Sequence, residues 1–223
     1  WTRTYGAPGE VDEQGRIRKI SVVPKPYQKP YPPLFQAFST SESTIRWCAR
    51  ERITPMILLS RPEQLRHLAR IYMEEAGRSG RWLALGDGIG VLRQIYFAET
   101  RREVERLAEK GLVGVGYKRF WGNFGFWESF RVPEDDLDYP QEPLPPREWT
   151  LERMLQARYL FAGTAAEVKE GMDELVTTAN PEWFAWLFDQ GLLPRSELKR
   201  QLELFGTHIL PRYRRGSGAA SRL

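Results

Sequence analysis

An α/β fold built on a parallel sheet is the architecture this sequence predicts, and three observations predict it. Strand-like and helix-like stretches alternate from residue 34 onward. One of the strands, Met56-Ile57-Leu58-Leu59, is an unbroken apolar run of the kind found in sheets covered on both faces. The intervening helices each carry a single apolar stripe, such as Val104, Leu107 and Ala108, as crossover helices do. Repeated units of this kind imply right-handed crossovers between parallel strands. A closed barrel and a doubly wound open sheet both satisfy the pattern. Against a dinucleotide fold, Gly86-Asp87-Gly88-Ile89-Gly90 precedes a strand rather than opening a helix. Four strand–helix units make up half of an eight-stranded barrel, which takes about 250 residues in full.

Residues 1–33 read as the end of a preceding unit and a proline-rich approach. The turn signal Glu13-Gln14-Gly15 leads into Arg16–Val23, which alternates partly like a strand. Pro24, Pro26, Pro30, Pro32 and Pro33 then hold the chain extended, because each fixes its own φ and biases the residue before it. Residues 34–111 carry three strand–helix pairs. The first strand is Leu34–Phe38 and its helix covers Glu42–Glu51. The second is Met56–Leu59; its helix starts near Ser60, accepts Pro62 in its first turn, buries Leu65, Leu68, Ala69, Tyr72 and Met73, and stops at Gly77. The third is Gly88–Phe97, followed by a capping box at Thr100 and Glu103 and a stop at Gly111.

Residues 112–163 are an aromatic and proline-rich insertion that ends in a helix. Regular periodicity lapses between Gly111 and Arg147, where glycines interleave with Tyr117, Phe120, Trp121, Phe124, Phe126, Trp127 and Phe130. An acidic, proline-rich segment, Pro133–Pro146, comes next. A connection this long is a functional loop or is disordered, and so many aromatics argue against disorder. It predicts a lid or pocket wall, with a satellite cluster on the outside of the fold as the alternative. A helix over Leu151–Leu160 follows. Residues 164–213 hold a second capping box, Thr164 and Glu167, with the stripe Val168, Met172, Leu175 and Val176. They also hold the fourth strand, Trp183–Phe188, and a helix over Ser196–Ile209 lined by Leu198, Leu202, Phe205 and Ile209. Residues 214–223 are expected to be a disordered tail.

Composition excludes several function classes. Charged residues make up 28% and the hydrophobic class 41%, an ordinary globular balance, and the net charge of +4 comes from 33 basic and 29 acidic residues mixed along the chain. Arg212, Arg214 and Arg215 cluster at the terminus, so nucleic-acid binding is not expected. No apolar run has the length of a membrane span, and WTRTYGAPGE lacks signal-peptide architecture. Cys48 is the single cysteine, which rules out an intrachain disulfide and a thiolate metal cluster. His67 and His208 lie far apart, so no metal site is expected, although carboxylate sites stay open. A reducing, cytoplasmic setting is the expectation.

One stretch stands out. Leu34–Phe38 runs into Ser39-Thr40-Ser41-Glu42-Ser43-Thr44, with five hydroxyls and one carboxylate, and a helical pattern begins at Ile45, Cys48 and Ala49. A strand leading into a hydroxyl-rich helix start gathers unpaired N–H groups, O–H donors and the positive end of the helix dipole. That composition suits a phosphate group. The plainer alternative is an N-cap, with Ser41 capping and the other hydroxyls solvated.

The segment PKPYQKPYPPLFQAFSTSESTIRWCA resembles the entry to the fifth barrel strand in bacterial luciferase-like, flavin-dependent monooxygenases. Three further stretches keep that family's order. VLRQIYFAETRREVERL is similar to its seventh strand and helix, LFAGTAAEVKEGMDEL to its Ala-Gly-Thr helix start, and FDQGLLPRSELKRQLELFGTHILPRYR to its last strand and helix. Together they cover nearly the whole chain.

The resemblance implies a (β/α)8 TIM barrel of the luciferase-like type, of which only the second half, strands 5–8, is present, with a long aromatic insertion after strand 7. It implies that Ser41 and Thr44 are ligands of a flavin 5′-phosphate and that a backbone N–H at Thr40 points at the same group. Tyr117, Phe120, Trp121, Phe124 and Trp127 fall in what resembles the family's lid over flavin and substrate. Reduced FMN, O2 and a small organic substrate are the implied reactants, with a flavin reductase, the missing N-terminal half of the barrel and a second copy of the chain as partners. Two alternatives remain: a deazaflavin (F420)-dependent dehydrogenase or reductase on the same fold, and a fragment without catalysis. No catalytic residue is assigned, because the flavin carries the oxygen chemistry and the protein anchors, shields and positions. Arg93 is expected to form an ion pair, and Trp47 and Cys48 to belong to the core.

Overall fold

Residues 8–20, 26–58, 60–131, 144–187 and 191–213 are described by the computed structural model. The chain divides into two units, Trp1–Leu34 and Phe35–Leu223. In the first, the predicted turn is present: Gly15 takes φ +79° and donates to the Asp12 carbonyl at 2.9 Å. The Asp12 carboxylate accepts from Arg16 N and Arg18 Nε, each at 2.8 Å. Among the described residues of the strand expected over Arg16–Val23 there is one antiparallel bridge, between Val11 and Ile17. Ile17 and Ile20 are both exposed, so the segment has no apolar face to hold a longer ladder. Ser21, Val22, Val23 and Pro24 lie outside the described residues, as do most of Pro133–Pro146 and the tail from 214.

The second unit runs β1 (Phe35–Phe38), α1 (Glu42–Glu51), β2 (Thr54–Ile57), α2 (Pro62–Arg78), β3 (Gly90–Phe97), α3 (Arg101–Lys110), α4 (Leu151–Gln156), β4 (Leu160–Gly163), α5 (Ala165–Ala179), β5 (Trp183–Trp186), α6 (Arg195–His208) and α7 (Leu210–Tyr213). A π-helical stretch, Leu112–Lys118, and 3-10 turns at Trp121–Phe124, Phe126–Phe130 and Pro146–Glu148 fill the space between α3 and α4. The described part of the insertion is therefore helically wound where the sequence shows no regular pattern, because π and 3-10 windings do not repeat at 3.6 residues.

All strand pairs are parallel. β1 pairs with β2 in the register Phe35 to Thr54, and β2 meets β3 at Met56 to Gly90. β3 is the hub. Its carbonyls at Ile89 and Arg93 accept from Trp183 and Leu187 on the β5 edge, while Gln94 and Ala98 donate to Tyr159 and Gly163 on the opposite edge. In a parallel ladder alternate residues serve opposite edges. β4 thus continues along the edge that β2 leaves after Val91.

β4 corrects the helix expected over Leu151–Leu160. That helix ends at Gln156, Arg158 takes φ +54°, and the strand begins at Leu160. A four-residue apolar strand cannot be told from a helix end by periodicity, so only pairing with β3 decides it. Other boundaries shift less. β1 starts at Phe35 rather than Leu34, β3 starts at Gly90 rather than Gly88, and β5 ends at Trp186. β2 is Thr54–Ile57, with Leu58 past its end and Leu59 outside the described residues.

Two cores result. The first packs α1, α2, α5 and α6 on the sheet through residues such as Ile45, Cys48, Leu65, Leu68, Ile95, Phe97 and Met172. The second gathers Tyr96, Val104, Leu107, Tyr117, Trp127, Phe130, Met154 and Tyr159. Cys48 is fully buried as expected, and burial pushes its thiol up to about 11. Trp47 is not core: it is 41% exposed, since α1 turns its neighbours Ile45, Cys48 and Ala49 inward instead.

Leu202 is likewise exposed, because α6 turns Gln201 inward with Leu198 and Phe205. The Gln201 amide accepts from Phe97 N at 2.7 Å and donates to Phe97 O at 2.8 Å. β5 stops pairing at Arg93, so the end of that β3 edge would otherwise lack partners. A side-chain amide completes the ladder there, and a buried N–H and C=O left unpaired would cost about 1–3 kcal/mol each.

The capping box at α5 is complete. Thr164 Oγ1 accepts from Glu167 N at 3.3 Å, and Glu167 Oε2 accepts from Thr164 N at 2.7 Å. At α3 only half forms: Thr100 Oγ1 accepts from Glu103 N at 3.2 Å, but Glu103 Oε2 takes the N–H of Glu99. The Thr164 backbone and hydroxyl bonds hold the Glu167 carboxyl below its ordinary value. A depressed carboxyl contributes stability above its unfolded pKa and loses it as pH falls through the folded one. The thermal midpoint is accordingly expected to fall as pH drops below 4.5. Glu167→Gln should flatten that part of the profile and leave the midpoint at pH 7 lower; an identical acid slope in the variant would show that the cap does not contribute.

Candidate functional site

Strand C-termini are where parallel α/β folds carry their sites, since the following helix N-termini point there. At the end of β1 the backbone turns through Ser39 and Thr40 into Ser41, which N-caps α1. Ser41 Oγ accepts from Thr44 N at 3.3 Å and from Thr44 Oγ1 at 3.1 Å, and lies 2.9 Å from Ser43 Oγ. Ile45 N returns to Ser41 O at 3.2 Å. Helix geometry leaves the N–H groups of Glu42 and Ser43 without an intrahelical partner. Ser41 and Ser43 are exposed and Thr44 is half-buried, so the hydroxyls are within reach of a ligand.

The one carboxylate in the loop is turned aside. Glu42 Oε1 lies 2.9 Å from His67 Nε2 on α2, and Oε2 lies 3.6 Å from Arg46 Nη2. The His67 hydrogen bond, with help from Arg46, holds the Glu42 carboxyl below its ordinary value. A negative charge at the helix mouth is thus drawn away by two basic side chains, and the donors that remain are the hydroxyls and N–H groups. This set suits a phosphate: several hydrogen-bond donors, a positive helix end, and the acid paired elsewhere. The N-cap and the anion-binding reading of Ser41 are compatible, since one hydroxyl can cap the helix and donate its proton outward.

The structure brings Thr40, Ser41 and Thr44 together and puts the five aromatic candidates in a separate group. Tyr117 and Trp127 belong to the second core, at 3% and 1% exposure. Tyr117 donates its O–H to Tyr159 at 2.7 Å, Trp127 Nε1 donates to Tyr117 O at 3.3 Å, and Trp127 stacks on Trp149 with centroids 5.8 Å apart. Burial pushes the Tyr117 hydroxyl up to about 12. Phe120 and Phe124 are exposed, and with half-buried Trp121 they form a surface cluster with centroids 4.9–6.3 Å apart.

Among the described residues Arg93 does not form the expected ion pair. It is 1% exposed, and Nη1 donates to the carbonyls of Ile57, Leu58 and Leu92 at 3.2, 2.8 and 2.8 Å, while Nη2 donates to Ser60 O at 3.0 Å. β2 ends at Ile57, so carbonyls there have lost their ladder partner, and the guanidinium supplies donors in place of a strand. Burial lowers the Arg93 pKa to about 10.

Two buried polar residues had no motif to announce them. Ser60 is buried and its Oγ donates to Ser39 O at 3.2 Å. Gln94, also buried, donates to Tyr96 O–H at 3.0 Å, and its Oε1 has no hydrogen-bond partner among the described residues. By the two-residue strand period Gln94 shares a face of β3 with Gly90. A Cβ at Gly90 would lie 2.0 Å from Met56 Sδ and 3.3 Å from Trp183 Cβ, and Phe35 meets Trp183 edge-to-face at 5.5 Å. Side chains from β1, β2 and β5 therefore converge on one face of the sheet. A separate recess of about 360 Å3 lies at the ends of β3 and β4, lined by Glu99, Thr100, Arg101, Gly163, Thr164 and Glu167 among others. Among the described residues no cluster of His, Cys, Asp and Glu could hold a metal ion, and no helix is long and apolar enough to cross a membrane.

Residues 1–179 match the family described as luciferase-like monooxygenase. The chain belongs to that family. No curated protein matches it. Among solved structures it is similar to the oxygenating constituent of 3,6-diketocamphane monooxygenase from Pseudomonas putida, a type II Baeyer–Villiger monooxygenase in complex with FMN. That likeness has 17% identity and a TM-score of 0.61, and covers 80% of this chain and 47% of the other. Monooxygenase RslO1 from Streptomyces bottropensis is similar at 18% identity and TM-score 0.60, over 87% of this chain and 52% of the other. The coenzyme F420 dependent tetrahydromethanopterin reductase from Methanopyrus kandleri follows at 15% and 0.55, over 81% and 51%. These likenesses establish the fold, an α/β parallel sheet of the luciferase-like barrel type. The luciferase-like chain spans about half the length of these structures.

Proposed function

We propose that this luciferase-like chain is the strand 5–8 half of a (β/α)8 barrel from a flavin-dependent monooxygenase, with Ser39–Thr44 as the anchor for the 5′-phosphate of FMN. The observation that carries the reading is the donor set at the start of α1. The hydroxyls of Ser41 and Thr44 and the N–H groups of the first turn sit at the C-terminal end of β1, with the Glu42 carboxylate drawn off by His67 and Arg46. The bound flavin would supply the redox and oxygen chemistry. The residues of this chain hold its phosphate, exclude water and position a small organic substrate.

The aromatic insertion takes a divided role in this reading. Tyr117 and Trp127 are the buried base, and Phe120, Trp121 and Phe124 are the surface that closes over flavin and substrate. Exposed Phe35 and Trp183, in edge-to-face contact on one face of the sheet, support a complementary N-terminal half-barrel as partner. A flavin reductase as the source of reduced FMN, a homo-oligomeric assembly and a cytoplasmic setting belong to the same proposal. A deazaflavin-dependent reductase is the second reading, favoured by the likeness to the F420-dependent enzyme.

The test compares FMN with riboflavin, which lacks only the phosphate. The 223-residue chain is expected to bind FMN more tightly. Ser41→Ala with Thr44→Ala should remove about tenfold or more of that preference, the usual worth of hydrogen bonds to a charged group. Equal FMN affinity in the double variant would sink the phosphate assignment. The absorption spectrum of co-purifying cofactor separates a flavin from a deazaflavin.

A further inference from the structure

Ser60 follows β2 and is 2% exposed. It is held from one side and reaches to the other. Its carbonyl accepts from Arg93 Nη2 at 3.0 Å, and Nη1 of the same guanidinium grips Ile57 O and Leu58 O. Its hydroxyl donates to Ser39 O at 3.2 Å. One residue earlier along β1, Phe38 O accepts from Leu58 N at 2.9 Å. Two successive carbonyls, of residues 38 and 39, are therefore tied to the β2–α2 loop, the second through a side chain alone.

The second tie has a directional consequence. In a trans peptide the C=O of one residue and the N–H of the next lie in one plane and point opposite ways. Fixing Ser39 O toward Ser60 therefore fixes the Thr40 N–H on the far side of that plane. Ser60 and Arg93 are buried and Ser39 is half-buried, so these bonds are partly shielded from water.

We propose that Ser60, seated by Arg93, is a positioning residue that orients the Ser39–Thr40 peptide plane and so aims the Thr40 N–H at a phosphate group. This rests on the reading of Ser39–Thr44 as a phosphate anchor. Ser60 does not touch the ligand. It sets the angle of a donor that does, from a different strand–helix unit of the fold.

The experiment measures FMN and riboflavin affinities of the 223-residue chain by fluorescence titration, with the Thr40 amide resonance followed in parallel as inorganic phosphate is added. Ser60→Ala is expected to cut the preference for FMN over riboflavin by about tenfold, to leave riboflavin affinity and the unfolding midpoint near wild type, and to abolish the phosphate response of the Thr40 amide. Ser60→Thr keeps the hydroxyl and is expected to restore all three. An unchanged FMN preference in Ser60→Ala, while Ser41→Ala with Thr44→Ala loses it, overturns the positioning role and leaves the anchor standing. Parallel losses for FMN and riboflavin also overturn it, since they mark a general structural role. No preference in the wild type overturns both readings.

Discussion

Trp127→Ala is expected to lower the unfolding free energy of the chain by about 3–5 kcal/mol, the usual range for truncating a buried aromatic. The indole is 1% exposed and is surrounded by rings: Phe130 at 5.3 Å, Trp149 at 5.8 Å and Tyr117 at 6.2 Å between centroids. Its Nε1 also donates to Tyr117 O, so the truncation leaves a buried carbonyl without that donor. The cavity cannot collapse readily, because Tyr117 is itself tied to Tyr159 through their hydroxyls. Denaturant unfolding followed by circular dichroism measures the change. Phe124→Ala, at a ring 65% exposed, is expected to stay within about 0.5 kcal/mol. A Trp127→Ala loss no larger than that of Phe124→Ala would show that the second cluster is not a packed core.

Arg93→Met is the second large effect, with an expected loss of about 3 kcal/mol or more. Methionine keeps much of the volume and removes the donors, so the carbonyls of Leu58, Leu92 and Ser60 each lose a bond of 3.0 Å or shorter. At about 1 kcal/mol or more for each buried acceptor left unpaired, the sum outweighs the desolvation recovered by removing the charge. Arg93→Lys is expected to fall between, because one ammonium cannot span carbonyls that the planar fork reaches together. Amide exchange should locate the damage at residues 57–60, ahead of the rest of β3. Wild-type protection there in Arg93→Met would show that these carbonyls do not depend on the guanidinium.

The helix at about Glu42–Glu51 was readable, because Ser41 and the spacing of Ile45, Cys48 and Ala49 state the same start and face. The Thr164 and Glu167 box was as clear, being a local rule satisfied by two neighbouring residues. β4 was not readable. Leu160–Gly163 is four residues long and gains its identity from Gln94–Phe97, more than sixty positions earlier. Gln201 left a faint trace, a polar residue on the apolar stripe between Leu198 and Phe205, but the peptide group it serves could not be inferred. Among the aromatics, composition announced a cluster and could not say which rings faced in, since π and 3-10 windings break the period that assigns faces.

The sequence by itself determined the family, the repeating strand–helix order and the hydroxyl-rich loop at the start of α1. Each is carried by contiguous residues whose chemistry acts over three or four positions. Only the tertiary structure decided what surrounds that loop. Glu42 is hydrogen-bonded to His67, from the next helix. Ser39 is held by Ser60, and Ser60 by Arg93, across 21 and 33 positions of chain. Arg93 turned out to serve carbonyls rather than an acid, because a strand that ends inside the fold leaves acceptors that no local pattern reveals. Short-range rules wrote the hydroxyl-rich helix start into the sequence, and its surroundings depend on hydrogen bonds that exist only once distant strands lie side by side.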